Sequence, residues 1–133
     1  HNPAKIAATL TAARLRARRI LAVYQPHGFA PTRHLKNELI LAFAEGLRAL
    51  DRIWLPDIYY VGGTASRDIS SRDIVEPLRA KGLNAWHVPE RAAIVGSIAD
   101  EAREGDLVLV MGARDPSLSD FARDILTALR KGG

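Results

Sequence analysis

Helix-spaced apolar stripes alternate with short apolar runs along the whole chain, and this alternation constrains the fold more than any other feature. Asn2 before Pro3 is a helix-start signal, and Ile6, Leu10 and Ala13 follow at helical spacing. The run Ile20-Leu21-Ala22-Val23 predicts a strand over 19–24. Leu35, Leu39, Phe43 and Leu47 then predict a helix over 32–48. Ile53-Trp54-Leu55 reads as a second strand that continues through Pro56 toward Tyr60, with the proline arguing for a bend or an edge position. Ser70 and Asp73 fit a capping box for a helix over 72–80, which Pro77 is expected to kink or shorten. Ala85-Trp86-His87-Val88 is the third strand, and a helix over 90–103 carries Ile94 and Ile98 inward. Leu107 to Met111 is the fourth strand, and Asp115-Pro116 opens a last helix whose face is Leu118, Phe121, Ile125 and Leu129. Such a pattern implies an α/β domain in three layers, a mostly parallel sheet flanked by helices on both faces. Four strands are expected, or five to six if the stretch near Gly62 or the tail also pairs.

At 133 residues, 47% of them hydrophobic, the chain is long enough for one domain with a real core. It has no cysteine, so disulfides and thiolate metal sites are excluded. His1, His27, His34 and His87 lack metal-ligand spacing, so no metal site is expected. The apolar runs are far short of a membrane span and no signal peptide is visible, which predicts a cytoplasmic protein with no membrane partner. The net charge is +4, and Arg14, Arg16, Arg18 and Arg19 crowd one stretch. A nucleic-acid surface is the sharp reading of that cluster. The plain one is cations at the end of the first helix, suited to its dipole, with no aromatics between them; no nucleic-acid partner is expected. The chain opens at His1 without Met, directly before a helix start, and reads as a piece of a longer protein.

Three predicted loops follow strands at their carboxyl ends, which a parallel sheet gathers at one edge, where ligands of open α/β sheets bind. The first holds Gln25, His27, Thr32 and Arg33; the second Tyr59, Tyr60, Gly62, Gly63 and Thr64; the third Gly112, Arg114 and Asp115. Helix N-termini there attract anions, and Arg33 and Arg114 can each grip a carboxylate or phosphate at two points. Plain readings stand beside these. His27 can simply cap its turn, the glycines can serve a turn of positive φ, and Asp115 before Pro116 can be an ordinary helix cap. There is no G-x-x-x-x-G-K-[ST], no G-x-G-x-x-G after the first strand and no G-x-S-x-G, and no carboxylate pair stands out. No catalytic residue is therefore assigned within this chain alone.

Several segments carry a family resemblance. His1-Asn2-Pro3 with the helix that follows, Tyr24-Gln25-Pro26-His27 with Thr32-Arg33 and Leu35, Asp57-Ile58-Tyr59-Tyr60, and Gly105 to Leu109 with Met111-Gly112-Ala113 are similar to the C-terminal domain of Mur ligases. The resemblance is strongest to the alanine-adding branch and its murein-tripeptide relative. It implies a Rossmann-like third domain of an ATP-dependent ligase that joins an amino acid or peptide to UDP-N-acetylmuramate through an acyl phosphate. The resemblance places His1 and Asn2 near the nucleotide, and Gln25, His27, Thr32, Arg33, Tyr60 and Arg114 toward the substrates. ATP and Mg2+ then belong to the full-length enzyme, and none is expected on this domain alone. The N-terminal and central domains of the same ligase are its expected partners. Gly28 and Pro31 stand where the alanine-adding branch commonly carries arginines, so two cationic contacts are missing and the acceptor is left open. The reading kept beside this one is a stand-alone, non-catalytic α/β module that binds an anionic nucleotide.

Overall fold

The computed structural model describes residues 2–60, 68–112 and 116–132. In chain order the elements are α1 (Pro3–Arg14), β1 (Arg19–Gln25), α2 (Phe29–Gly46), β2 (Arg52–Leu55), α3 (Arg72–Ala80), β3 (Asn84–His87), α4 (Arg91–Glu101), β4 (Asp106–Gly112) and α5 (Pro116–Gly132). The alternation predicted from the sequence is the alternation observed.

The strands form one parallel sheet in the order β3-β2-β1-β4. β1 is central: Leu21 lies opposite Arg52 of β2, and Arg19 through Gln25 run beside Asp106 through Gly112 of β4. The chain adds strands outward from β1, then returns and places β4 on the other side. That reversal creates a topological switch point at the carboxyl ends of β1 and β4.

Successive β1 side chains face opposite sides of the sheet, as the pleat requires. Ile20, Ala22 and Tyr24 join Leu10 of α1, Leu39 and Phe43 of α2, and Ile74 and Leu78 of α3. Leu21 and Val23 join Trp54, Ile94 and Ile98 of α4, and Phe121 and Ile125 of α5. The result is three layers with a core on each face of the sheet, which is why β1 reads as an unbroken apolar run.

Four local expectations change. β2 ends at Leu55 and lies inside the sheet, not at its edge; Pro56 follows the strand and its carbonyl accepts the buried Ser71 hydroxyl. Beyond it, only an isolated parallel bridge between His27 and Tyr59 continues the pairing among the described residues. α2 starts at Phe29, earlier than expected, because Gly28 at φ 80° lets the chain turn directly into the helix. The arginine cluster is not a helix terminus: only Arg14 lies in the last turn of α1. Arg14 instead binds the buried Asp51, and Arg19 opens β1 and binds Asp106 at 2.7 Å. α3 has the predicted bounds, with the Ser70 amide donating to the Asp73 carboxylate at 2.8 Å and the Arg72 amide to the Ser70 hydroxyl at 3.1 Å. Pro77 is carried inside that helix. Among the described residues no helix is long and apolar enough to cross a membrane.

Candidate functional site

The site is built at the carboxyl edge of the sheet. β1 ends in Gln25, and the turn Pro26-His27-Gly28 leads into α2. Gln25 is only 2% exposed, so its amide must be satisfied internally. Its Nε2 donates to the carbonyls of Pro26 at 2.8 Å and Asp57 at 2.9 Å, which straps the first loop to the second. The Tyr59 amide donates to the Pro26 carbonyl and the Gly28 amide to the Tyr59 carbonyl, both at 2.8 Å. The His27 and Tyr59 rings stack with centroids 5.0 Å apart. The two loops thus form one unit, and His27 is held by its backbone and by its ring face.

Beside this unit, a cleft of about 310 Å³ is lined by Asn2, Tyr24, His27, Pro31, Thr32, Leu35 and Leu39. Residues from the N-terminus of α1, the end of β1 and the start of α2 therefore meet around one space. Asn2 caps α1, its Oδ1 accepting from the Lys5 amide at 2.9 Å, which leaves the side-chain amide nitrogen as a donor at the rim. The Thr32 hydroxyl donates to the Gly28 carbonyl at 2.6 Å and is buried, so it firms the start of α2 as well as lining the cleft. Burial pushes the Tyr24 hydroxyl up to about 12, so the phenol stays neutral across the physiological range.

Two other predicted residues, Arg33 and Tyr60, are described and are not part of that lining. Arg33 pairs with Asp68 at 3.0 Å on the surface. Tyr60 packs edge-on against Phe29, 5.0 Å between centroids, and lines a second hollow with Asp57, Ile58, Ile69 and Ser70. His1, Arg114, Gly62, Gly63, Thr64 and Asp115 lie outside the described residues. Among the described residues no group of three His, Asp or Glu side chains is arranged to hold a metal ion.

Two contacts at this edge escaped sequence reasoning. His87 Nε2 lies 2.7 Å from the Asp57 carboxylate, tying the end of β3 to the loop after β2. Arg91, the first residue of α4, donates from Nε to Gln25 Oε1 and from Nη1 to the Ser117 hydroxyl, each at 2.9 Å. Its guanidinium carbon also lies 5.7 Å from the Tyr59 ring centre. An arginine at a helix N-terminus runs against the dipole, and that was the one signal that could have singled it out.

The cleft is lined by both polar and apolar side chains. Among the described residues its lining includes no carboxylate, lysine or arginine. The described part of that lining offers no carboxylate for the Mg2+ of ATP. The cleft instead offers the His27 imidazole and the Asn2 amide beside positioned backbone at a switch point.

The comparisons with known proteins agree with this architecture. Residues 1–114 match the family described as Mur ligase, glutamate ligase domain. The chain is 36% identical over 114 residues to a UDP-N-acetylmuramate–L-alanine ligase of Caldanaerobacter subterraneus, covering 85% of this chain and 24% of the relative. It is 37% identical over 133 residues to the ligase of the same name from Streptomyces avermitilis, covering 98% and 27%. The chain thus spans about a quarter of the length of these curated relatives. A UDP-N-acetylmuramate–alanine ligase structure from Thermotoga maritima shares the fold, with a TM-score of 0.68 at 17% identity over 100% of this chain and 26% of that one. With a family match over most of its length and the three-layer parallel sheet to go with it, the chain belongs to the Mur ligase family.

Proposed function

We propose that residues 1–133 are the C-terminal, third domain of an ATP-dependent ligase of cell-wall synthesis or recycling. The ligase joins an amino acid or peptide to UDP-N-acetylmuramate through an acyl phosphate. One observation supports this most: Asn2 and His27, from two of the segments that carry the family resemblance, line a single cleft. ATP with Mg2+ supplies the activation of the muramoyl carboxylate, and its phosphates and metal are held by the central domain.

In this reading the chain closes over the reaction from one side. His1 and Asn2 stand near the nucleotide, with the Asn2 amide as the donor at the rim. Gln25 fixes the turn, Thr32 firms it, and His27 faces the cleft. Arg33, Tyr60 and Arg114 meet the incoming amino acid or peptide, whose carboxylate suits a guanidinium. The partners are the N-terminal and central domains of the same protein, and the compartment is the cytoplasm.

The test compares the chain alone with a protein that carries the preceding coding region. Phosphate release is measured with ATP, UDP-N-acetylmuramate and single amino acids or peptides. The longer protein is expected to release phosphate only with both substrates present, and the chain alone not at all. Tight nucleotide binding by the chain alone, with no ligation by the longer protein, would instead establish the stand-alone nucleotide module.

A further inference from the structure

Arg91, 66 residues along the chain from Gln25, meets the site from the start of α4. Its Nε donates to Gln25 Oε1 at 2.9 Å, and its Nη1 to the Ser117 hydroxyl at 2.9 Å. The guanidinium also stands 5.6 Å from the Phe121 ring centre and 5.7 Å from that of Tyr59. One side chain thus links β1, the loop after β2, and the starts of α4 and α5, all at the switch point.

The direction of these bonds gives the contact its meaning. A buried primary amide has two orientations, and only one of them turns Nε2 toward the Pro26 and Asp57 carbonyls. Arginine has donors and no acceptor, so Arg91 fixes Gln25 with its oxygen toward α4 and its nitrogen toward the two loops. The loops then carry the constraint onward. The Pro26 carbonyl also takes the Tyr59 amide, the Tyr59 carbonyl takes the Gly28 amide, and His27 stacks on the Tyr59 ring. On that ring Arg91 acts a second time, through its guanidinium.

We propose that Arg91 is the positioning residue of the site: it sets the Gln25 amide and the Tyr59 ring, and through them the place of the His27 imidazole. The functional half of this statement rests on the ligase reading given above; the positional half does not.

Lysine separates charge from geometry. It can reach Gln25 or Ser117 but cannot donate to both from one planar fork. Gln25→Glu separates the two ends of the relay in the other direction. It keeps an acceptor for Arg91 and replaces the nitrogen that held the Pro26 and Asp57 carbonyls by an oxygen that repels them.

The positional half is tested on this chain by following the ring resonances of His27 and Tyr59 in NMR spectra, beside thermal unfolding. The variants are Arg91→Ala, Arg91→Lys and Gln25→Glu. The control is Ile98→Val or Ile98→Ala, in the core face of the same helix, chosen to match the fall in melting temperature. The rings are expected to shift in all three variants and to stay in place in the control. Rings unmoved in Arg91→Ala, or moved equally in the control, overturn the proposal, and rings unmoved in Gln25→Glu overturn the relay.

The functional half is read in the longer ligase, where Arg91→Ala and Arg91→Lys are each expected to lower kcat/KM roughly tenfold. Moved rings with unchanged kinetics would overturn the functional role. Lost activity with unmoved rings would make Arg91 a substrate contact and overturn positioning. An inactive parent protein would refute the ligase reading, while the spectra still decide what Arg91 does.

Discussion

Arg14 and Asp51 join the end of α1 to the start of the sheet. The Asp51 carboxylate is 1% exposed, and both its oxygens are used. Oδ1 accepts from the Ile20 amide at 2.8 Å and Oδ2 from the Arg48 amide at 2.7 Å, while the Arg14 guanidinium bonds to both. One carboxylate therefore sets where α1 stops, where β1 begins and how the turn after α2 closes.

Removing it should leave a guanidinium facing a partly buried gap and two amides without acceptors. Asp51→Ala is expected to cost about 3 kcal/mol, in the range for breaking a buried ion pair, and Asp51→Asn clearly less. Urea unfolding with an unchanged slope would check this. A loss under about half a kcal/mol would place the pair among solvated surface pairs.

The same pair shows what the sequence could and could not tell. The arginine run was visible, but its partners Asp51 and Asp106 stand far along the chain, so the plain rule of cations at helix ends misassigned it. The elements were legible because their signals are local: the stripe of α5, the capping pair Ser70 and Asp73, the apolar run of β1. Gln25 was legible as part of the site, and its burial was not, because the amide's neighbours come from the loop after β2 and from α4. Arg91 was missed for the same reason. Its acceptor on Gln25 is 66 residues away. Local spacing carries helices and strands, whereas a switch point exists only once the strand order is known.

Gly28 and Pro31 are matched to each other. Gly28 is at φ 80° and ψ 139°, a region nearly restricted to glycine, and a Cβ placed on it would stand 3.1 Å from the Pro31 ring. Gly28→Arg should therefore lower stability by about 1–3 kcal/mol. Pro31→Ala should relieve the steric share and leave the backbone strain, so the double variant is less destabilised than the sum of the singles. Strict additivity in a thermal or urea series would show that Pro31 does not limit the position.

Asp106 makes part of the stability depend on acid. Burial alone would raise its carboxyl, but the Arg19 guanidinium and the Arg103 amide hold it below the ordinary value of 3.8. A carboxyl lowered in the folded state contributes stability that is present above its unfolded value and lost as pH falls through its folded one. Stability should thus drop below about pH 4, and Asp106→Asn should flatten that drop while costing stability near neutral pH. Melting temperatures across the acid range would check it, and a variant curve parallel to the wild type would assign the acid loss to other carboxylates.

Arg33 and His27 separate binding from folding. The Arg33 and Asp68 side chains are 40% and 59% exposed, so their ion pair contributes at most about 1 kcal/mol. Arg33→Ala should barely move the melting temperature of this chain. In the longer ligase it should lower kcat/KM roughly ten- to a hundredfold if Arg33 holds a substrate carboxylate or a phosphate. Arg33→Lys should recover little of that loss, since an ammonium cannot donate two parallel bonds. Asp68→Asn tells whether the ion pair aims the guanidinium: a parallel loss means that it does, and wild-type kinetics mean that Arg33 finds its anion unaided. His27→Ala is the companion case. Its ring stacks on Tyr59 at the rim of the cleft, so turnover should fall while the fold holds. Varying ATP and the acceptor separately assigns each side chain to one ligand. Unchanged kinetics in both titrations for Arg33→Ala would remove Arg33 from the site and leave it a surface residue of α2.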